Sequence, residues 1–103
     1  MKANARQAFS ILKKMGAPVM DRTDGYGCEF LISAERYHCD DKLWCDYYQE
    51  EVREHWHPDD LDKPLIERRI NNAWGIRTEV NEVLNAKALH AEWINPGLVG
   101  VYF

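Results

Sequence analysis

The first fifteen residues place apolar side chains at spacings of three and four, a pattern typical of an amphipathic helix over roughly residues 3–15. The apolar positions are Ala5, Ala8, Phe9, Leu12 and Met15. Gly16 is suited to the left-handed conformation that ends many helices, and Pro18 prevents the helix from resuming.

Two short β-compatible segments follow, VMDR and CEFLIS, on either side of TDGYG. The Asp24-Gly25 pair is favourable chemistry for a tight turn, so this region predicts a β-hairpin. In the second strand Cys28, Phe30 and Ile32 alternate with more polar positions, which predicts one apolar face.

The middle of the chain predicts a second helix that begins after Asp40 or Asp41, either of which can cap it. Its apolar positions recur near helical spacing and end at His57-Pro58, because proline disfavours the helical conformation of the preceding residue. These positions are Leu43, Trp44, Tyr47, Tyr48, Val52 and Trp56.

A third helix is predicted over about 64–73, with Pro64 in its first turn and one apolar side. That side is formed by Leu65, Ile66, Ile70 and Ala73. We expect a break near Gly75 and a new helix that begins close to Thr78; one long helix kinked at Gly75 is the alternative.

The chain ends in a second predicted hairpin, in which LHAEWI and LVGVYF flank Asn95-Pro96-Gly97. Proline followed by glycine at the centre of the turn favours type II geometry. The last strand is apolar, so it has to be covered or paired, and a homodimer through this C-terminal edge strand is one way to pair it.

Helix, strand, turn and strand occur in the same order at both ends, which predicts an αββ pseudo-repeat over 3–33 and 78–103 with a helical insert at 40–74. Convergence on a common supersecondary form is the alternative to duplication. We expect a single domain, 1–103, of the α+β class: a four-stranded, mostly antiparallel sheet with helices packed on one face.

Composition places the chain among globular proteins, since 46% of its 103 residues are hydrophobic and 29% are charged. It has no apolar stretch of the roughly 20 residues that a membrane helix needs, and its first residues do not resemble a signal peptide. Three cysteines without an export signal predict reduced thiols in a cytoplasm, that of a host if a phage encodes the chain.

Charge is concentrated in the middle of the chain, where residues 35–62 carry ten acids and three bases. Nucleic-acid binding needs clustered Lys and Arg to neutralise phosphates, and the sequence has no such cluster. We therefore expect neither a nucleic acid nor a membrane as a direct ligand, and no cofactor.

The same region contains most of the histidines and cysteines, and this suggests two alternatives. A zinc-supported structural domain would use Cys/His side chains of residues 28–57, of which Cys39, Cys45, His55 and His57 are the candidates, although their spacing fits known zinc motifs poorly. A small Cys/His hydrolase is the second alternative, although acidic neighbours raise a thiol's pKa and so oppose its activation.

The aromatic residues of this region favour a different function, because Trp and Tyr are the residues that dominate protein interfaces. We expect a non-enzymatic interaction module that binds, and inhibits or regulates, a protein with a basic surface, such as a nucleic-acid channel, in the style of phage or mobile-element inhibitors. The predicted contact residues are Trp44, Asp46, Tyr48, Glu50, Glu54, Trp56, Asp59 and Asp60.

Overall fold

A computed structural model describes residues 1–35, 44–47, 56–69 and 75–103. In these ranges the chain forms two α-helices and four strands, which confirms the predicted α+β class. The elements are α1 (Ala3–Met15), β1 (Val19–Met20), β2 (Phe30–Ser33), α2 (Thr78–Ala86), β3 (His90–Asn95) and β4 (Leu98–Tyr102).

Helix α1 has the predicted bounds and the predicted end. Gly16 adopts φ +95°, and its backbone N–H donates to the carbonyl of Lys13. Ala5, Ala8 and Leu12 are buried, so the three- and four-residue spacing does mark the face that contacts the core. Met15, which the spacing predicts on the same face, is 39% exposed in the last turn of the helix.

The first hairpin is also confirmed. Asp24 and Gly25 both have positive φ, of 50° and 80°, and the Tyr26 N–H donates to the Thr23 carbonyl at 3.0 Å. This is the geometry of a type I′ turn, which lies within the connection of residues 21–29 between β1 and β2. Strand β2 is buried on both faces rather than one, and it is paired at both edges.

Helix α2 begins at Thr78, as expected from the predicted break near Gly75. Strands β3 and β4 pair antiparallel, which confirms the second hairpin. The predicted type II turn is wrong, since Gly97 does not have the positive φ that this type needs. Instead the Asn95 side-chain oxygen accepts a hydrogen bond from the Gly97 N–H at 2.9 Å.

All strand pairs are antiparallel, and the order is β1-β2-β4-β3. The C-terminal strand β4 therefore lies between β2 and β3, and both of its edges are paired. This corrects the expected homodimer through a C-terminal edge strand: among the described residues the sheet ends at β1 and β3.

Both helices contribute to one core with one face of the sheet, as predicted. That core joins residues of α1 and α2 to Phe30 and Ile32 of β2 and to Val99 and Val101 of β4. Leu31, on the opposite face of β2, is fully buried but lies outside this cluster.

The predicted second helix is not present at 44–47, the part of its first half that the structure describes. Cys45 forms an isolated antiparallel bridge with Ile76, supported by the Asp46 N–H donating to the Gly75 carbonyl at 2.8 Å. Trp44 and Cys45 enter the core from this extended pairing, which tertiary packing favours over helix propensity. Residues 36–43 and 48–55 lie outside the described residues.

The third predicted helix is a single 3₁₀ turn, Leu65–Glu67. An α-helix through Arg69 would need its N–H to donate to the carbonyl of residue 65, four positions earlier. The Arg69 N–H donates instead to the carboxylate of Asp60, at 2.8 Å. The prediction for 64–69 is therefore wrong, and residues 70–74 lie outside the described residues.

Within the described ranges, neither α1 nor α2 is long or apolar enough to cross a membrane.

Candidate protein-binding loop

The structure corrects the predicted acidic and aromatic surface. Trp44 and Trp56 are only 4% and 8% exposed, and Asp60 is completely buried, so these three side chains do not form an outer surface. Asp46 is half-buried and Asp59 is exposed, while Tyr48, Glu50 and Glu54 lie outside the described residues.

The described residues place a closed loop at the end of this region instead. We refer to residues 57–69 as the 57–69 loop. Its ends meet, because the His57 N–H donates to the Arg69 carbonyl at 2.9 Å. The loop begins with a 3₁₀ turn, Pro58–Asp60, which His57 caps by accepting the Asp59 N–H at its Nδ1. It is a compact loop of the Ω type, held by its own side chains.

The buried carboxylate of Asp60 is the centre of the loop. Arg69 donates to it from Nε at 2.8 Å and from Nη2 at 3.1 Å, and Lys63 Nζ lies 3.0 Å from it. These charged hydrogen bonds, first of all the one from the Arg69 side chain, hold the pKa of Asp60 far below its usual range. Asp60 therefore organises the loop and is not available to a partner.

A second arginine fixes the middle of the loop. Arg68 donates from Nε to the Lys63 carbonyl at 2.9 Å and from Nη2 to the Leu61 carbonyl at 3.0 Å. Its guanidinium also lies 5.7 Å from the centre of the Trp56 ring, which is the geometry of a cation–π contact. The Arg68 side chain therefore holds the loop backbone at two carbonyls.

The far end of this loop exposes an isoleucine. The Glu67 N–H donates to the Pro64 carbonyl at 2.9 Å, which places residues 65 and 66 at the centre of a tight turn. Ile66 is 94% exposed, more than any other large apolar side chain of the described residues. Single exposed apolar residues are common, but this one is held in nearly full contact with solvent by a hydrogen-bonded loop.

Carboxylates surround this isoleucine in the sequence and lie on the outside of the loop. Asp59, Asp62 and Glu67 are exposed, and the Asp59 side chain is 81% exposed. The bases of the same loop also make contacts within it, since Lys63 and Arg69 contact Asp60 and Arg68 binds two backbone carbonyls, but the Lys63 and Arg69 side chains remain 47% and 63% exposed. The loop therefore presents three outward carboxylates together with partly exposed bases.

The metal alternative stays a prediction. Cys45 is buried in the core and His57 Nδ1 accepts a backbone hydrogen bond, while Cys39 and His55 lie outside the described residues. Among residues whose placement is known, no three His, Cys, Asp or Glu side chains are grouped as a metal site.

The hydrolase alternative also stays a prediction. Cys28 and Cys45 are both buried thiols, and burial raises the pKa of Cys28 above its ordinary value. A raised pKa disfavours the thiolate, which is the form that attacks a substrate.

Sequence reasoning missed Ile66, which it placed on the buried side of a helix. Two signals in the sequence favour a loop over a helix at this position. Pro58 and Pro64 enclose the acidic stretch DDLDK, and Asp60 precedes a pair of arginines that can fold back on it. Neither signal is visible in the spacing of apolar residues, which is the pattern that predicts helices.

No protein-family model, curated protein or solved structure matches this chain.

Proposed function

We propose that this protein is a non-enzymatic interaction module whose 57–69 loop binds a protein partner with a basic surface. The observation that supports this most is the nearly complete exposure of Ile66 at the end of a loop that is held internally by Asp60, Arg68 and Arg69. In this proposal Ile66 enters an apolar depression on the partner, and the surrounding carboxylates contact basic residues at its rim.

The fixed geometry of the loop supports a binding role in energetic terms. A flexible loop loses conformational freedom when it is immobilised in a complex, and this loss weakens binding. The 57–69 loop is already held by the hydrogen bonds of two arginines and by the contact between His57 and Arg69. Less freedom is lost on binding, so more of the contact energy contributes to affinity.

The charge of the loop supports a basic partner. Asp59, Asp62 and Glu67 are exposed, so they attract lysines and arginines before contact is made. Complementary charges of this kind increase the association rate and select against acidic surfaces. If the basic surface of the partner is one that binds nucleic acid, carboxylates in the place of phosphates would inhibit or regulate it.

The experiment compares the wild-type chain with Ile66→Ser as bait, using extracts of the cells that produce the protein. Tyr26→Ser is the matched control, because Tyr26 is another large exposed side chain, 45% exposed, and lies outside the 57–69 loop, on the turn between β1 and β2. A captured protein counts as the partner only if it is retained by the wild type and by Tyr26→Ser and is lost with Ile66→Ser.

The purified partner then provides affinities. We expect Ile66→Ser to weaken binding by at least about tenfold, as for an interface hot spot, and we expect affinity to fall as salt screens the carboxylates. Equal affinity of all three proteins would contradict the role of the loop. Affinity that is independent of salt would contradict the basic partner.

A further inference from the structure

A second surface with the opposite charge lies on α1. Gln7, Ile11, Lys14 and Met15 recur at spacings of three and four on its outer side, and we call them the α1 face. Ile11 and Met15 are 40% and 39% exposed. Residues 1–20 contain four bases and no acid, and one of these bases, Lys14, belongs to this face.

The two surfaces complement one another in charge and in polarity. The 57–69 loop exposes the aliphatic side chain of Ile66 close to the carboxylates of Asp62 and Glu67 in the sequence, and the α1 face exposes Ile11 and Met15 beside Lys14. We propose that the α1 face of one copy binds the 57–69 loop of a second copy, with Ile66 against Ile11 and Met15, and with Glu67 or Asp62 beside Lys14.

The contact has to form between copies, because in its own chain Ile66 is 94% exposed and so is not packed on α1. A nucleic acid would pair with the lysines of α1 but would leave Ile11 and Met15 without apolar contacts. An acidic protein surface with an aliphatic side chain can pair with the lysines of α1 and also contact Ile11 and Met15, and the 57–69 loop is such a surface.

Two different surfaces meet in this contact, so it is head-to-tail and not a twofold contact between identical surfaces. In a pair of copies, one copy still has an unused loop and the other an unused helix face, which leads to a ring or to a short open chain. The inference rests on one part of the proposed function, that the 57–69 loop is a contact surface. Self-association would then compete with partner binding for Ile66.

Head-to-tail contacts allow a complementation experiment. The variant Ile66→Ser lacks the loop contact but retains the helix face, and the double variant Ile11→Gln/Lys14→Gln lacks the helix face but retains the loop. Both sets of side chains are exposed, so circular dichroism should show that the variants fold normally. Arg22→Gln is the control for the loss of one base outside α1.

Sedimentation velocity at low salt, from micromolar to millimolar protein, measures the association. We expect wild type and Arg22→Gln to associate, each surface variant to associate at least tenfold more weakly, and an equimolar mixture of the two surface variants to form a dimer that high salt dissociates. Each surface variant retains one half of the contact, which is why the mixture recovers a single interface.

Three results would overturn the inference: a wild type that stays monomeric throughout, surface variants that associate as strongly as wild type, or a mixture that does not associate. Binding of a DNA duplex that depends on Lys14, without self-association, would also overturn it and assign α1 to phosphate. None of these results bears on capture of a separate partner by Ile66, which tests the proposed function independently.

Discussion

Arg69 binds Asp60 with three donors: Nε at 2.8 Å, Nη2 at 3.1 Å and its own backbone N–H at 2.8 Å. The side-chain pair is bidentate, the arrangement that gives arginine and carboxylate both strength and fixed geometry. The backbone bond prevents a helix at Arg69, and the side-chain bonds hold the loop closed. One buried carboxylate therefore determines the shape of the loop that exposes Ile66.

Replacement of this carboxylate should destabilise the protein. In Asp60→Asn the side chain keeps its size but loses its charge and one acceptor, which leaves Arg69 and Lys63 without their ionic partner. We expect a lower midpoint of thermal unfolding than in wild type. Asp59→Asn is the matched control, because the Asp59 side chain is 81% exposed and should be nearly neutral. Equal midpoints for the two variants would show that the Asp60 pair does not stabilise the fold.

The lowered pKa of Asp60 also predicts how stability depends on pH. A carboxylate whose pKa is lower in the folded state than in the unfolded state stabilises the fold above the unfolded pKa, which is about 3.9 for aspartate. This stabilisation is lost progressively as the pH falls further toward the folded pKa. We expect the free energy of unfolding, measured in urea, to decrease below about pH 4. The decrease should be shallower in Asp60→Asn than in wild type. Parallel curves for these two proteins would contradict the contribution of Asp60 to the pH dependence.

Both ends of the chain could be predicted from the sequence because their structure is determined locally. The buried side of helix α1 follows from helical spacing, and the first turn follows from Asp24-Gly25, which adopts positive φ at both positions. The type of the second turn could not be predicted, because the Pro-Gly pair favours type II geometry but does not specify the bond that the Asn95 side chain accepts from the Gly97 N–H.

The middle could not be predicted because its described part depends on contacts between distant residues. Trp44 and Cys45 are buried through backbone pairing with a segment some thirty residues away, and the spacing of apolar residues along the chain does not indicate this pairing. The sequence predicts Asp60 as a contact residue within the acidic region. Aspartate is rarely buried, but this carboxylate is, because an arginine neutralises its charge. The exposure of Ile66 follows from that same ion pair.

Gly75 is predicted to be intolerant of any side chain. It has φ +65°, and a Cβ at this position would meet the backbone carbonyl oxygen of Asp46. Asp46 is also the residue whose N–H donates to the Gly75 carbonyl. We expect Gly75→Ala to lower the free energy of unfolding by more than about 2 kcal/mol, from backbone strain and from the displaced pairing.

Gly27→Ala is the control for strain alone. Gly27 has φ +76°, but a Cβ there would have no atom within 4 Å. We expect a loss of about 1 kcal/mol, measured by chemical denaturation alongside Gly75→Ala. If both variants lose the same stability, the close approach of Asp46 contributes nothing.

Ile66 and Leu12 should differ sharply in their effect on folding, although both are aliphatic. Ile66→Ser removes a side chain that is already in solvent, so we expect the free energy of unfolding to change by less than about 0.5 kcal/mol. Leu12→Ala leaves a cavity in the core and should cost about 2–5 kcal/mol. A large loss of stability in Ile66→Ser would mean that this isoleucine supports the fold and is not held for a partner.

Cys28 should be protected from thiol reagents while the protein is folded. Burial raises the pKa of its thiol, and the nearby carboxylates of Glu29 and Asp24 raise it further, so little thiolate exists near neutral pH. Reaction with a disulfide reagent at pH 8, in a Cys39→Ser background that leaves only Cys28 and Cys45, should be at least about tenfold slower than in urea. Adding Cys45→Ser assigns the remaining signal to Cys28. Reaction of Cys28 at the rate of an unfolded thiol would contradict its burial, because the thiolate has to reach solvent in order to attack the reagent.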